Sequence, residues 1–161
     1  MGDAGCAPRP GCEMRDAGCV RQSNPLLRDS GTLSLVPRRY LSAMRRLQKL
    51  DTWRGAQELA RAAYLLTTTP TVSKHFALVD QIRRAAISIP ANIAEGYALG
   101  TTAQFVRCLK IALGSSTELL SHLTLLKSLG LMPETELQPC IDLCERVVAM
   151  TIGLIRRLMS R

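Results

Sequence analysis

From about Ser42 the chain places apolar residues at alternating steps of three and four, the spacing of one helix face. Leu50, Trp53, Ala56, Ala60 and Ala63/Tyr64 predict a first amphipathic helix that stops at Thr67-Thr68-Thr69-Pro70. Pro70 lacks the amide a helix interior needs and disfavours the α region at Thr69. A second row, Phe76, Val79, Ile82, Ala86, Ile89 and Ile93, predicts a helix from about Ser73 to Tyr97, closed by Gly96 and Gly100. Pro90 falls inside it and predicts a kink, with Ala86 small enough to leave room for the ring.

The third pattern is the longest. After a cap at Thr101 or Thr102, Phe105, Leu109, Ala112, Ser116, Leu119, Leu123 and Leu126 form a heptad seam that ends at Gly130 and Pro133. Gly114 sits mid-helix, where glycine costs about 1 kcal/mol against alanine, so close approach of a neighbouring backbone is the expected reason for it. Thr135-Glu136-Leu137-Gln138 has the form of a capping box, with a start at Pro139 as the alternative. Leu137, Ile141, Cys144, Val148, Thr151, Ile155 and Leu158 then carry a fourth helix to the C-terminus. Four amphipathic helices with short connections and no strand pattern predict an all-α, antiparallel up-down-up-down four-helix bundle over residues 44–161.

Residues 1–43 have no sustained period; Gly, Pro and scattered Arg predict a disordered basic head. Met44 opens Met44-Arg45-Arg46-Leu47 just ahead of the first strong helical pattern, so a gene start assigned too far upstream is one reading of this stretch. At 161 residues, 47% hydrophobic and without an uninterrupted apolar run of about 18 residues or a secretory leader, the chain reads as a cytoplasmic protein with no membrane span.

The net charge of +8 is unevenly placed. Residues 1–49 hold nine Lys and Arg against four acids, a net +5, which leaves +3 for the remainder. A basic arm binds polyanions, but a mildly basic bundle is a weak pointer to nucleic acid. Of the six cysteines, Cys140 and Cys144 share a helix face and in geometry reach a metal together with His122; small apolar core residues are the plainer reading. Phosphate-loop, dinucleotide, zincin and nucleophile-elbow motifs are absent. Glu118 precedes His122 by four rather than three residues, unlike a di-iron bundle. Neither His75 nor His122 has the upstream arginine of a HEPN-type ribonuclease. The expectation is a protein that is not an enzyme and has no cofactor, metal or small-molecule substrate.

Residues 80–96 read Asp-Gln-Ile-Arg-Arg-Ala-Ala-Ile-Ser-Ile-Pro-Ala-Asn-Ile-Ala-Glu-Gly. They resemble the Q-x-R-R-A-x-x-S-[IV]-x-x-N-I-A-E-G signature of the 23S ribosomal RNA intervening-sequence four-helix-bundle family. That family is related to the accessory variability proteins of diversity-generating retroelements. The flanks resemble it too: Trp53, Ala56, Leu59, Ala60 and Tyr64 match its first helix, and Phe105, Leu109, Ala112, Gly114, Ser115, Glu118 and Leu119 its third. The likeness spans about residues 47–159. Thr101-Thr102 and Asp80 depart from the family pattern. The resemblance implies a bacterial cytosolic homopentamer without known catalysis, whose retroelement relatives bind a reverse transcriptase and nucleic acid.

The residues themselves leave two readings open. Arg83, Arg84, Arg107 and Lys110 form a phosphate-contacting patch in one. In the other, Arg83 or Arg84 pairs with Glu95 or Glu118 across a helix or subunit boundary, and the chain is a protein scaffold that ignores nucleic acid. Gln81, Asn92, Glu95, Gly114 and Glu118 are expected to be structural or interface residues, with Asn92 and Glu95 satisfying the backbone that Pro90 frees or bonding across an interface. With so few aromatics, and those on apolar faces, a single-strand stacking platform is not expected.

Overall fold

The threonine run that stops the first predicted helix does so by closing its carbonyls. In the computed structural model, which describes residues 38–160, the hydroxyls of Thr67, Thr68 and Thr69 donate to the carbonyls of Tyr64, Leu65 and Leu66 at 2.6, 2.7 and 2.9 Å. These are orphan acceptors at any helix C-terminus. The helix they end, α2 (Asp51–Leu66), covers the predicted apolar row and stops at Thr67 as the sequence predicts. A separate helix α1 (Arg38–Leu47) precedes it, and the chain turns at Gln48–Leu50, where Lys49 and Leu50 donate back to Arg46 and Leu47 at 3.1 and 2.9 Å. Helix α1 thus begins ahead of the expected 43/44 boundary; residues 1–37 of the predicted head lie outside the described residues. Leu47 is fully buried and pins α1 to the bundle.

A 3-10 turn, Val72–Lys74, seats the buried Val72 beneath the next turn of chain and leads into α3 (Phe76–Ala98). Helix α4 (Thr102–Ser128) and helix α5 (Glu134–Met159) follow, and no strand occurs among the described residues. Helix α2 packs on α3, α3 on α4, α4 on α5, and α5 closes the ring on α2. Antiparallel order shows in the cross-links: Ser88 Oγ meets Ser115 Oγ at 2.9 Å, and nearer the α3 C-terminus Gly96 meets Cys108. The predicted all-α, antiparallel four-helix bundle is therefore the observed one. Its centre is a continuous apolar core that includes Leu59, Ile82, Ile89, Ile93, Leu109, Leu119, Leu123, Leu137 and Val147, all fully buried.

Caps differ from the expected ones in instructive ways. The threonine–glutamine box operates at Thr101, whose hydroxyl accepts from the Gln104 amide at 3.3 Å and donates to its side chain at 2.7 Å. The similar Thr135-to-Gln138 box is unused, because α5 starts one residue earlier, after Pro133, and carries both Thr135 and Pro139 within it. Gly100 and Gly130 take positive φ, +79° and +62°, and end α3 and α4. At Gly130 the Leu131 amide reaches the Leu126 carbonyl at 3.3 Å while Gly130 reaches Lys127 at 3.1 Å, the paired bonds of a Schellman turn.

Two glycines exchange roles relative to expectation. Gly96 is interior to α3 rather than its terminator, and it is the point of close helix approach. A Cβ there would lie 2.6 Å from Cys108 Cβ and 3.2 Å from the Phe105 Cα. Gly114 faces open space, with nothing within 4 Å of a Cβ, so no helix of the same protomer explains it. Pro90 stays inside a helix that continues to Ala98, and both Pro90 and Ala86 are buried.

Candidate nucleic-acid interface

The signature segment lies entirely on α3, and most of it packs. Ala85, Ala86, Ile89, Ile93 and Gly96 are buried, while Gln81, Ser88 and Asn92 are half-buried. The Asn92 amide nitrogen donates to the Ser88 carbonyl at 2.8 Å and to its hydroxyl at 3.0 Å, and that hydroxyl bridges to Ser115 on α4. Of the two expectations for Asn92, the bond to the backbone freed by Pro90 is not met, since the carbonyl freed by Pro90 is that of Ala86, two residues before Ser88. Small and polar residues at this spacing let α3 and α4 approach and lock their register.

Adjacent arginines take opposite roles. Arg83 Nε donates to the fully buried Thr67 Oγ1 at 2.8 Å, and its guanidinium lies over the Tyr64 ring, 4.3 Å from the centroid. It thereby ties the closed end of α2 to α3 through a hydrogen bond and a cation–π contact. Arg84 points to solvent and approaches Asp80, one of the residues departing from the signature, at 3.9 Å. Both pairings stay near α3 and its α2 neighbour; neither arginine reaches Glu95 or Glu118 within the protomer. Glu95 is exposed, and Glu118 stands 3.7 Å from His122 Nε2 on its own helix.

The four candidate bases do not form one patch. The Ser88–Ser115 contact fixes the register, so Arg83 and Arg84 lie level with about residue 119 of α4. Arg107 and Lys110 are exposed near the other end of α4, roughly 15 Å away along the axis at 1.5 Å per residue.

What the antiparallel topology does bring together is a basic end. Where α2 and α4 begin and α3 and α5 finish, Arg45, Arg46, Lys49, Arg54, Arg107, Lys110, Arg156 and Arg157 are all exposed. Among the described residues they face only Asp51, Glu58 and Glu95, an excess of five positive charges. Beyond the level of Ser88, Ser115 and Cys144, five bases meet five acids and the balance is zero (Glu145 and Arg146 sit at the divide and cancel). Among the described residues only Arg54 of the eight bases has an ion-pair partner, Asp51. Sequence reasoning found Arg107 and Lys110 but missed Arg45, Arg46, Lys49, Arg156 and Arg157 as their neighbours, because three separate helices supply them.

The cysteines belong to the core. Burial pushes the Cys140 thiol up to about 11 and the Cys144 thiol to about 12, the latter helped by nearby Cys140 and Glu145. Cys144 Sγ donates to the Ser116 carbonyl at 3.3 Å. Among the described residues no group of three His, Cys, Asp or Glu side chains is placed to hold a metal ion, and no helix is long and apolar enough to cross a membrane.

Residues 48–153 match the model of the 23S rRNA-intervening sequence protein family, which covers most of the chain. The chain belongs to that family. The matched span begins in the turn before α2 and ends inside α5, so the 23S rRNA-intervening sequence protein region is the four-helix bundle itself, and α1 lies outside it. No curated protein matches this sequence.

Proposed function

We propose that this chain is a non-enzymatic, oligomeric accessory protein that holds RNA, or an RNA–protein assembly, on the basic end of its bundle. The observation that carries this reading is the segregation of charge: among the described residues, an excess of five bases at one end and none at the other. Charge arranged in this way attracts a polyanion by releasing its condensed counterions, without reading its sequence. Family membership supports RNA as the polyanion. A homopentamer and a reverse-transcriptase partner come from the resemblance. The exposed Ile87, Ile111 and Leu125, together with the open Gly114, are compatible with a further helix packing on the outer α3–α4 surface.

The competing reading, a protein scaffold with no affinity for nucleic acid, places the same bases in subunit contacts. Light-scattering mass of the full chain, taken with and without a mixed RNA pool at about 50 and 200 mM salt, separates the two. The expected result is a particle several protomers in mass that takes up RNA at the lower salt and releases it at the higher. A particle of unchanged mass with RNA at both salts refutes RNA binding, and a protomer-sized mass refutes the assembly.

A further inference from the structure

We infer that the cleft between α1 and the α3–α4 corner seats one unpaired base of a bound RNA strand. The inference rests on the RNA-binding reading and adds a specific pocket to it.

The cleft has a volume of about 660 Å³, within the size range of small-ligand sites. Met44 of α1 and Leu99 at the end of α3 are both nearly half exposed, at 47%, although each is a large apolar side chain on its rim. Tyr97 and Phe105 form another wall, edge to face with centroids 5.7 Å apart. Arg46 supplies a cation, and among the described residues no acidic side chain lines the space. Thr101 and Thr102 bring the start of the 27-residue helix α4 to the same cleft, where first-turn amides lack helical acceptors.

This chemistry suits a flat apolar group joined to an anion. A base offers a π face to aromatic and apolar walls, and the adjoining phosphate meets Arg46 and the α4 terminus. Outside the cleft Lys49, Arg107 and Lys110 continue the positive surface along which neighbouring phosphates would lie. A paired base cannot enter, so the cleft favours single strands. Aromatics that are scattered along the sequence meet here, because the Gly96 contact draws the α3 C-terminus against Phe105.

The test is fluorescence anisotropy with the full chain and two labelled probes of equal length and charge, an adenosine oligoribonucleotide and its fully abasic counterpart. The adenosine probe should bind about tenfold tighter, the scale of one stacked base. Leu99→Ser, at an exposed site that leaves the core untouched, should remove most of that difference, whereas Arg46→Ala should weaken both probes. Equal affinity for the two probes overturns the base pocket while leaving RNA binding intact. So does a difference that survives Leu99→Ser. Failure of both probes to bind overturns the pocket and the RNA reading together.

Discussion

The two mid-helix glycines should respond in opposite directions to the same added methyl group. At Gly96 a Cβ would stand 2.6 Å from Cys108 Cβ, about 1 Å inside the normal contact distance for carbon. No rotamer change relieves it, since Cβ atoms do not move with χ1 and the Phe105 Cα lies only 3.2 Å away. Helices α3 and α4 must separate, which costs about 1–3 kcal/mol by the usual scale of core overpacking. The gain in helix propensity from glycine to alanine, about 1 kcal/mol, offsets part of this. With contacts at 2.6, 3.0 and 3.2 Å the upper part of the overpacking cost applies, about 2–3 kcal/mol, so Gly96→Ala should lose about 1–2 kcal/mol net. Gly114→Ala keeps the propensity gain with no clash, since nothing lies within 4 Å, and should add about 0.5–1 kcal/mol. Urea unfolding followed by circular dichroism, at one fixed protein concentration because assembly would shift the midpoint, reads both changes. A Gly96→Ala protein as stable as the parent would refute the packing argument. A Gly114→Ala protein that is less stable, or of smaller particle mass, would mean that Gly114 touches another subunit.

Arg83→Ala should destabilise the fold by about 1–2 kcal/mol, since it removes the hydrogen bond that the buried Thr67 hydroxyl accepts and the Tyr64 contact, while that hydroxyl keeps its own bond to the Tyr64 carbonyl; Arg84→Ala should stay within about 0.5 kcal/mol because its pair with Asp80 is exposed. Chemical denaturation of the two variants side by side checks this, and equal losses would contradict the assigned roles. Cys140 and Cys144 should resist alkylation at pH 8 in the folded chain and react after unfolding, as read by peptide mass spectrometry; rapid native labelling would contradict their burial. Their folded pKa values, about 11 and about 12, are raised above the ordinary 9.0, so their contribution to stability is complete below pH 9 and is lost as pH rises through those values.

Much of the architecture was legible because three of the helices carry long, regular apolar rows. The heptad seam of α4 and the four-three rhythm of α5 place Leu109, Leu119, Leu123, Leu137 and Ile155 in the core where the pattern puts them. Helix α1 was missed because it is short; among its described side chains Leu47 is the buried anchor. The two T-x-x-Q boxes are locally equivalent, and only the position of the preceding turn decides which one caps a helix. Gly96 and Gly114 look alike along the chain; which of them meets a neighbouring backbone depends on how α3 and α4 are rotated against each other. The basic end was illegible for a topological reason. Arg46, Arg107 and Arg156 are far apart in sequence, and antiparallel packing alone makes them neighbours.

The account stands most directly on where the polyanion binds. Affinity for a single-stranded RNA should be measured across a salt series for the parent chain, for Arg107→Ala/Lys110→Ala at the basic end, and for Arg84→Ala/Lys127→Ala at the opposite end. Removing one base that neutralises a phosphate lowers the slope of log K against log salt by about 0.7 for single strands. The first variant should bind more weakly with a slope reduced by about 1.4, and the second should match the parent. Equal effects from the two ends, or weakened binding confined to the Arg84 and Lys127 variant, would contradict the assignment of the basic end.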